Sequence, residues 1–158
     1  MASRAEEWNL CDGELTLELA KYLPGDPGLE RAPAYRFSMV HGESGETMGD
    51  IELRNGNYPG IRLYSGHLGY EVYPAFRGKR YAERACRLLV PVARHLGIDP
   101  LWITCNPENA ASRRTCERLG AELVETVDIP PHINLYANGD RQKCRYRLET
   151  GAHTEAGR

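Results

Sequence analysis

Residues 76 to 89, Phe-Arg-Gly-Lys-Arg-Tyr-Ala-Glu-Arg-Ala-Cys-Arg-Leu-Leu, run from a turn into an amphipathic pattern whose basic side chains gather at its start. Such a start suits an anion, because the first turn of a helix leaves unpaired N–H groups and a partial positive charge. Gly78 lets the backbone approach that anion without a Cβ in the way. From Arg77 to Arg87 there are five basic residues and one acid, Glu83, in a chain of formal net charge -2, so the basicity is local. Cations at a helix start oppose its dipole unless an anion is present, so phosphate is the expected occupant of the Arg77, Gly78, Lys79, Arg80, Tyr81 and Ala82 segment. Just upstream, His67 and Glu71 lie on one extended run and share a face, and either could take a proton from a substrate directly or through water. His67 is preferred as base because its ordinary pKa lies nearest neutrality.

These groups need elements to position them. Alternation in Leu15 to Leu19 predicts a first strand, ended by the Pro24-Gly25-Asp26-Pro27-Gly28 cluster. Tyr35 to Val40, Met48 to Leu53 and Gly66 to Tyr73 read as three more strands of an antiparallel meander. After Pro74 the period becomes helical, with Ala82, Ala85, Cys86, Leu89, Val92, Ala93 and Leu96 on one face and Gly97 as the stop. Leu101 to Cys105 is a short apolar strand, and a strand after a strand and a helix predicts a right-handed parallel crossover. Asn106 is expected to cap the next helix, with Pro107 at its first position, Gly120 past its end, and Ala111, Ser112, Thr115, Cys116 and Leu119 as its inner stripe. Ala121 to Val127 and Lys143 to Leu148 read as closing strands, and the tail from Thr150 carries no apolar residue to order it.

Length and composition narrow the function. With 158 residues, 41% hydrophobic and 27% charged, the chain suits one domain over residues 1–149 followed by a disordered tail at 150–158. No apolar run approaches the roughly 18 residues of a membrane span, and the N-terminus lacks the apolar core of a secretory signal, so a cytoplasmic protein without a membrane partner is expected. Five scattered cysteines without a Cys-x-x-Cys pair predict reduced thiols and no metal site. The mild acidity disfavours a nucleic-acid partner.

Three segments, in this order of elements, resemble the GNAT superfamily of acyl-CoA-dependent N-acetyltransferases. Gly69 to Ala82 is similar to that family's fourth strand and its Arg/Gln-x-x-Gly-x-Gly/Ala pyrophosphate loop, and the helix that follows is the second segment. Ile103 to Arg113, with Glu117-Arg118-Leu119-Gly120-Ala121 behind it, is similar to the family's fifth strand and next helix. The resemblance implies an α/β fold (α+β order) with a mixed, mostly antiparallel sheet of about seven strands, one βαβ unit, and helices packed on it. It implies acetyl-CoA as co-substrate, no metal, and direct transfer of acetyl to an amine of a small molecule or peptide. It also implies an oxyanion donor at the backbone N–H of Val72 or Tyr73, coenzyme contacts at Arg77 to Ala82, and pantetheine contacts at Asn106, Asn109 and Ser112.

Three departures shape the expectations. Arg80 stands where the family usually has glycine, and Cys116 where many members carry a tyrosine that protonates the leaving thiolate. Cys116 is then either a small core residue or itself the proton donor, with Tyr70, Tyr73 and Tyr81 as alternatives. The stretch from Leu23 to Pro33 is too short for the helix pair that usually borders the acceptor, which predicts an open acceptor cleft or one completed by a second copy in a homodimer. His132 and Tyr136, on the apolar and aromatic excursion from Asp128, are the expected acceptor contacts. The alternative reading is a GNAT-like acyl-CoA sensor or structural protein with little turnover.

Overall fold

The computed structural model describes residues 8–151. Among the described residues there are seven strands, β1 (Leu15–Leu23), β2 (Ala34–His41), β3 (Thr47–Arg54), β4 (Leu68–Val72), β5 (Leu101–Cys105), β6 (Glu122–Asp128) and β7 (Gln142–Leu148). They form one sheet in the order β1-β2-β3-β4-β5-β7-β6. The β4–β5 pair is parallel and every other pair of this sheet antiparallel, so the described residues form the expected meander with a single crossover. That crossover is α1 (Tyr81–His95); α2 (Ala110–Arg118) links β5 to β6, and a single turn, α3 (Asn134–Ala137), interrupts the β6–β7 connection. The fold is thus mixed α/β with a mostly antiparallel sheet.

Side-chain alternation decides which face the helices cover. Leu15, Leu17, Phe37, Met39, Ile51, Leu53, Leu68 and Ile103 point to one side and are buried, and Ala85, Cys86, Leu89 and Ala93 of α1 meet them there. Leu89 is fully buried, worth roughly 2 to 3 kcal/mol of transfer free energy on area bookkeeping. The opposite face of the meander is polar, and its register aligns Glu18, Ser38, Asp50 and Glu71 in one row across β1 to β4. Only one short 3-10 turn, Pro27–Leu29, lies between β1 and β2, so no helix pair follows the first strand.

Two boundaries differ from expectation. The second helix is capped by Asn109, not Asn106: the Asn109 side chain accepts from the Ser112 N–H at 3.1 Å, while Asn106 to Ala110 form a turn closed by the Asn109 N–H on the Asn106 carbonyl at 2.9 Å. A second Asx residue lay within reach of the helix start, and it won because its oxygen reaches the N3 amide. Thr150 is not the start of a loose tail. It is buried, its N–H donates to Asp99 Oδ1 at 2.9 Å, its hydroxyl to the Ile98 carbonyl at 2.7 Å, and its carbonyl accepts from Arg94 Nε. Polar anchoring replaces the apolar contact that the sequence lacks there, and the rest of the expected tail lies outside the described residues. Among the described residues no helix is long and apolar enough to cross a membrane.

Candidate active site

The site grows out of the end of β4. The Arg54 N–H donates to the His67 carbonyl at 2.7 Å and the Tyr73 N–H to the Met48 carbonyl at 2.8 Å. Antiparallel ladders alternate, so residues 69, 71 and 73 spend their backbone groups on β3 while Leu68, Tyr70 and Val72 turn theirs toward β5; His67, just before the strand, accepts from β3 with its carbonyl and donates its N–H to the Trp102 carbonyl. Yet β4 and β5 pair only at Leu68–Ile103 and then part. The N–H of Val72 therefore faces an open gap, and its carbonyl is held from the other end by Arg77 Nε at 2.9 Å. Tyr73, the other expected oxyanion donor, has its N–H committed to Met48 and is corrected to a ladder residue.

Below the gap the chain turns through Pro74–Phe76 and enters α1. Gly78 has φ +90 and a Cβ there would meet nothing within 4 Å, so the backbone angle, more than crowding within the protein, requires glycine. Arg80 is the N-cap of α1 at φ 61, ψ 29, a left-handed conformation, with no side-chain cap hydrogen bond. A position built for the left-handed region is the physical reason a glycine suits it.

A cleft of about 690 Å³ runs from this turn along α2. Tyr70, Glu71 and Val72 of β4 form one wall, Phe76, Arg77, Gly78, Arg80, Tyr81 and Ala82 the floor, and Asn109, Ala111, Ser112, Arg114, Thr115 and Arg118 of α2 the other wall. Lys79 is exposed and outside the lining, and so is not joined to the rest. Two of the five bases at the start of α1 are committed elsewhere. Arg84 makes a two-pronged pair with Asp12 at 2.7 and 2.8 Å, which holds the Asp12 carboxyl below the usual carboxylate range, and Arg87 bonds Glu83 at 3.2 Å and the Arg118 carbonyl at 2.7 Å. Arg114 and Arg118 restore the cationic count from the opposite wall.

His67 is not in the cleft. It is 0% exposed, its Nδ1 accepts the Trp102 N–H at 2.8 Å, and its Nε2 lies 3.0 Å from the Gly56 carbonyl and 3.3 Å from Asn57 Oδ1. The tautomer follows: Nδ1 is the acceptor and Nε2 carries the proton. Burial pushes its pKa down to about 4, and no ring nitrogen remains for a substrate. The expected base His67 is corrected to a histidine that pins β4 to β5 and to the loop before it. Glu71 does line the cleft, exposed at the strand end and directly opposite Asp50 in the β3–β4 register. Partial burial and the Glu71 charge raise the Asp50 carboxyl above its ordinary value.

The thiol Cys116 is also away from the cleft, fully buried and hydrogen-bonded to Cys105. That bond stabilises the Cys105 thiolate, lowering Cys105 to about 7, and raises Cys116 in turn. Cys116 is therefore corrected from proton donor to core residue. Among the hydroxyls that line the cleft, Tyr70 lies 2.7 Å from Ser112 Oγ of the facing wall. Burial raises the Tyr70 phenol, so it is protonated at neutral pH. Tyr81 is excluded as a donor because its hydroxyl is bound to the Glu14 carboxylate.

The remaining expected contacts separate. Asn106 donates to Asp140 Oδ1 at 2.8 Å, while its own buried Oδ1 meets no partner among the described residues; it ties the β6–β7 connection to the end of β5 and does not line the cleft. Tyr136 stacks under the Arg141 guanidinium at 3.7 Å, and neither it nor the exposed His132 lines the cleft. Sequence reasoning missed Arg114 and Arg118. The signal was their spacing from Ala111, which places all three along one stripe of α2.

The model of the acetyltransferase (GNAT) domain matches residues 3–122. Among solved structures, the chain is similar to a ribosomal-protein-S5-alanine acetyltransferase from Vibrio fischeri at 18% identity and TM-score 0.59, covering 74% of this chain and 62% of that one. It is similar to a GNAT-family acetyltransferase from Bacillus anthracis at 21% identity and TM-score 0.57, covering 73% and 66%. It is also similar to RimL, a ribosomal L7/L12 alpha-N-protein acetyltransferase bound to coenzyme A, at 19% identity and TM-score 0.58, covering 75% and 63%. The chain thus spans less than two thirds of the length of these relatives. No curated protein matches the sequence. At such identities the structures establish a shared fold, and the domain match, over most of the chain, places this protein in the GNAT acetyltransferase family.

Proposed function

We propose that the protein is an acetyl-CoA-dependent N-acetyltransferase that passes acetyl directly to an amine bound at the open end of the β4–β5 gap. The observation that carries this reading is the parting of β4 from β5 beside Val72, which leaves one strand N–H facing a cleft lined by a carboxylate on one wall and a hydroxyl pair across it. The thioester carbonyl lies against the Val72 N–H, which stabilises the tetrahedral oxyanion. An alkyl amine of pKa about 10.4 is neutral in roughly one molecule in 2,500 at pH 7, a penalty of about 4.6 kcal/mol. Glu71, facing the polar side of the sheet, takes the proton directly or through one water. The departing thiolate meets the Tyr70 hydroxyl, which the Ser112 hydroxyl orients and to which it can relay a proton. Arg77, Arg80 and the first amides of α1 hold the pyrophosphate.

The absence of a helix pair between β1 and β2 leaves the acceptor side open, which favours an amine carried on a peptide or other extended molecule over one enclosed in a pocket. Acetyl-CoA incubated with a panel of small amines and peptide N-termini, with free thiol followed continuously, tests the reading. Release above the hydrolytic background supports it, with the responding amine naming the acceptor class. Coenzyme binding without release would favour a sensor, and no binding would overturn the coenzyme assignment.

A further inference from the structure

The strand beside β4 decides where the Val72 N–H lies. β3 and β4 pair from Leu53–Leu68 to Gly49–Val72, so Gly49 stands opposite the residue that opens onto the gap. Gly49 is buried, and its φ lies outside the left-handed region, so its backbone angle alone does not call for glycine. What calls for it is space. A Cβ at Gly49 would overlap the Glu71 carbonyl oxygen and lie 3.0 Å from Val72 Cα and 3.1 Å from the Glu71 carbonyl carbon. All three atoms belong to the Glu71–Val72 peptide plane. In a trans peptide the carbonyl and the N–H point opposite ways, so a plane whose carbonyl lies against Gly49 aims its N–H away from β3 and into the gap. β3 is also bulged at this level: Met39 of β2 pairs with Gly49 and Val40 with Thr47, which leaves Met48 unpaired with β2. The Met48 carbonyl accepts the Tyr73 N–H at 2.8 Å and so fastens the next residue of β4. Bulge and glycine together bring this end of β4 onto β3.

We propose that Gly49 is a positioning residue for acetyl transfer: because it has no side chain, the Glu71–Val72 peptide lies close against β3, and that approach sets where the Val72 N–H meets the thioester carbonyl. The assignment rests on the oxyanion role given to Val72 above. An ordinary carbon–oxygen contact is about 3.3 Å or longer, so a methyl group at position 49 has to push the plane on the order of 1 Å toward β5. That is a large error for a donor that must stand about 2.7 to 3.1 Å from an oxyanion. The same plane begins at the Glu71 Cα, so the base and the oxyanion donor move together.

Nuclear magnetic resonance of the isotope-labelled protein, titrated with acetyl-CoA and with coenzyme A, reads the Val72 amide directly. In the wild type the Val72 amide proton is expected to move downfield with acetyl-CoA and not with coenzyme A, while the short Hα–Hα contact between Gly49 and Val72 persists with both. Loss of that contact on binding acetyl-CoA overturns the proposal without any variant having to fold. In Gly49→Ala the downfield shift is expected to fall by about half or more, and thiol release with the responding amine by about 10- to 100-fold, with acetyl-CoA affinity within about twofold of the wild type. Gly25→Ala is the control: its Cβ would lie 2.6 Å from the Arg31 carbonyl oxygen in the β1–β2 connection, so it strains the backbone at the opposite end of the sheet and should keep both readouts. An unchanged shift and unchanged turnover in Gly49→Ala overturn the proposal, as does an equal loss of both in Gly25→Ala, which would make the effect one of general stability. A wild-type Val72 amide that stays in place when acetyl-CoA is bound overturns the oxyanion role of Val72 and the proposal with it.

Discussion

Replacing Arg80 with glycine should move stability and coenzyme affinity in opposite directions. Arg80 sits at φ 61, ψ 29, where a residue with a Cβ is disfavoured by roughly 1 to 2 kcal/mol. Glycine removes that strain but gains freedom in the unfolded chain, a cost of roughly 0.5 to 1 kcal/mol. The net change runs from about 0 to 1.5 kcal/mol in favour of glycine, or an increase in Tm of up to about 6 °C for a domain of this size. The guanidinium lines the cleft, and a charge-assisted hydrogen bond to phosphate contributes about 1.5 to 3 kcal/mol, with the low end appropriate to an exposed side chain. Acetyl-CoA affinity should therefore fall about tenfold. Scanning calorimetry gives the first quantity and titration calorimetry the second. Arg80→Asn, which tolerates the left-handed region and lacks the charge, should match the glycine variant in affinity. An affinity that is unchanged or higher in Arg80→Gly, with the expected rise in Tm, would refute the phosphate contact and make Arg80 an obstruction at the loop.

Gly78→Val should be worse on both measures: φ +90 strains any β-branched residue, costing about 1 to 3 kcal/mol, and acetyl-CoA affinity should drop further still because the side chain stands where the anion approaches; equal affinity by titration calorimetry contradicts this. Tyr70→Phe should lower kcat about 10² to 10³-fold with little change in acetyl-CoA affinity, and full activity with Ser112→Ala lost would move the proton donor to Ser112. The His67 pKa, depressed from 6.5 to about 4, makes its contribution fully present above pH 6.5 and lost as pH falls toward 4, because only the unfolded chain binds the proton in that window. Urea midpoints should reflect a loss of up to about 3 kcal/mol between pH 7 and 4 from this group, and His67→Gln should flatten that part of the profile while keeping activity; an unaltered profile would contradict the assignment.

Much of the fold was legible because its signals are periodic. The stripe from Ala82 to Leu96 became the buried face of α1, and the apolar run Leu101 to Cys105 became β5 residue for residue. The turn into α1 at Arg77 to Ala82 was legible as a helix start because glycine and charge cluster within a few positions. What escaped depends on partners distant in sequence. His67 looks like a base until Gly56, Asn57 and Trp102 are seen to occupy both ring nitrogens. Val72 and Tyr73 are indistinguishable as N–H donors in sequence, and only the β3–β4 register sends one to the ladder and the other to the gap. The left-handed angle of Arg80 is likewise absent from the sequence pattern, whereas the i, i+3, i+7 spacing of Ala111, Arg114 and Arg118 on α2 was a signal that could have placed both arginines on the cleft wall. Cys116 lies on the inner stripe as expected, and burial there removes it from the chemistry.

The most direct test of acetyl transfer beside the β4–β5 gap is the rate of thiol release by wild type and Glu71→Gln, measured alongside acetyl-CoA affinity and across pH. Loss of turnover by about 10² to 10⁴-fold, with affinity for acetyl-CoA nearly unchanged, is the predicted result, because Glu71 acts only once the amine is bound. Full turnover in Glu71→Gln with an unaltered pH–rate profile would contradict it, and loss of turnover in His67→Gln with its fold intact would return the base to the residue that the structure removes from the cleft.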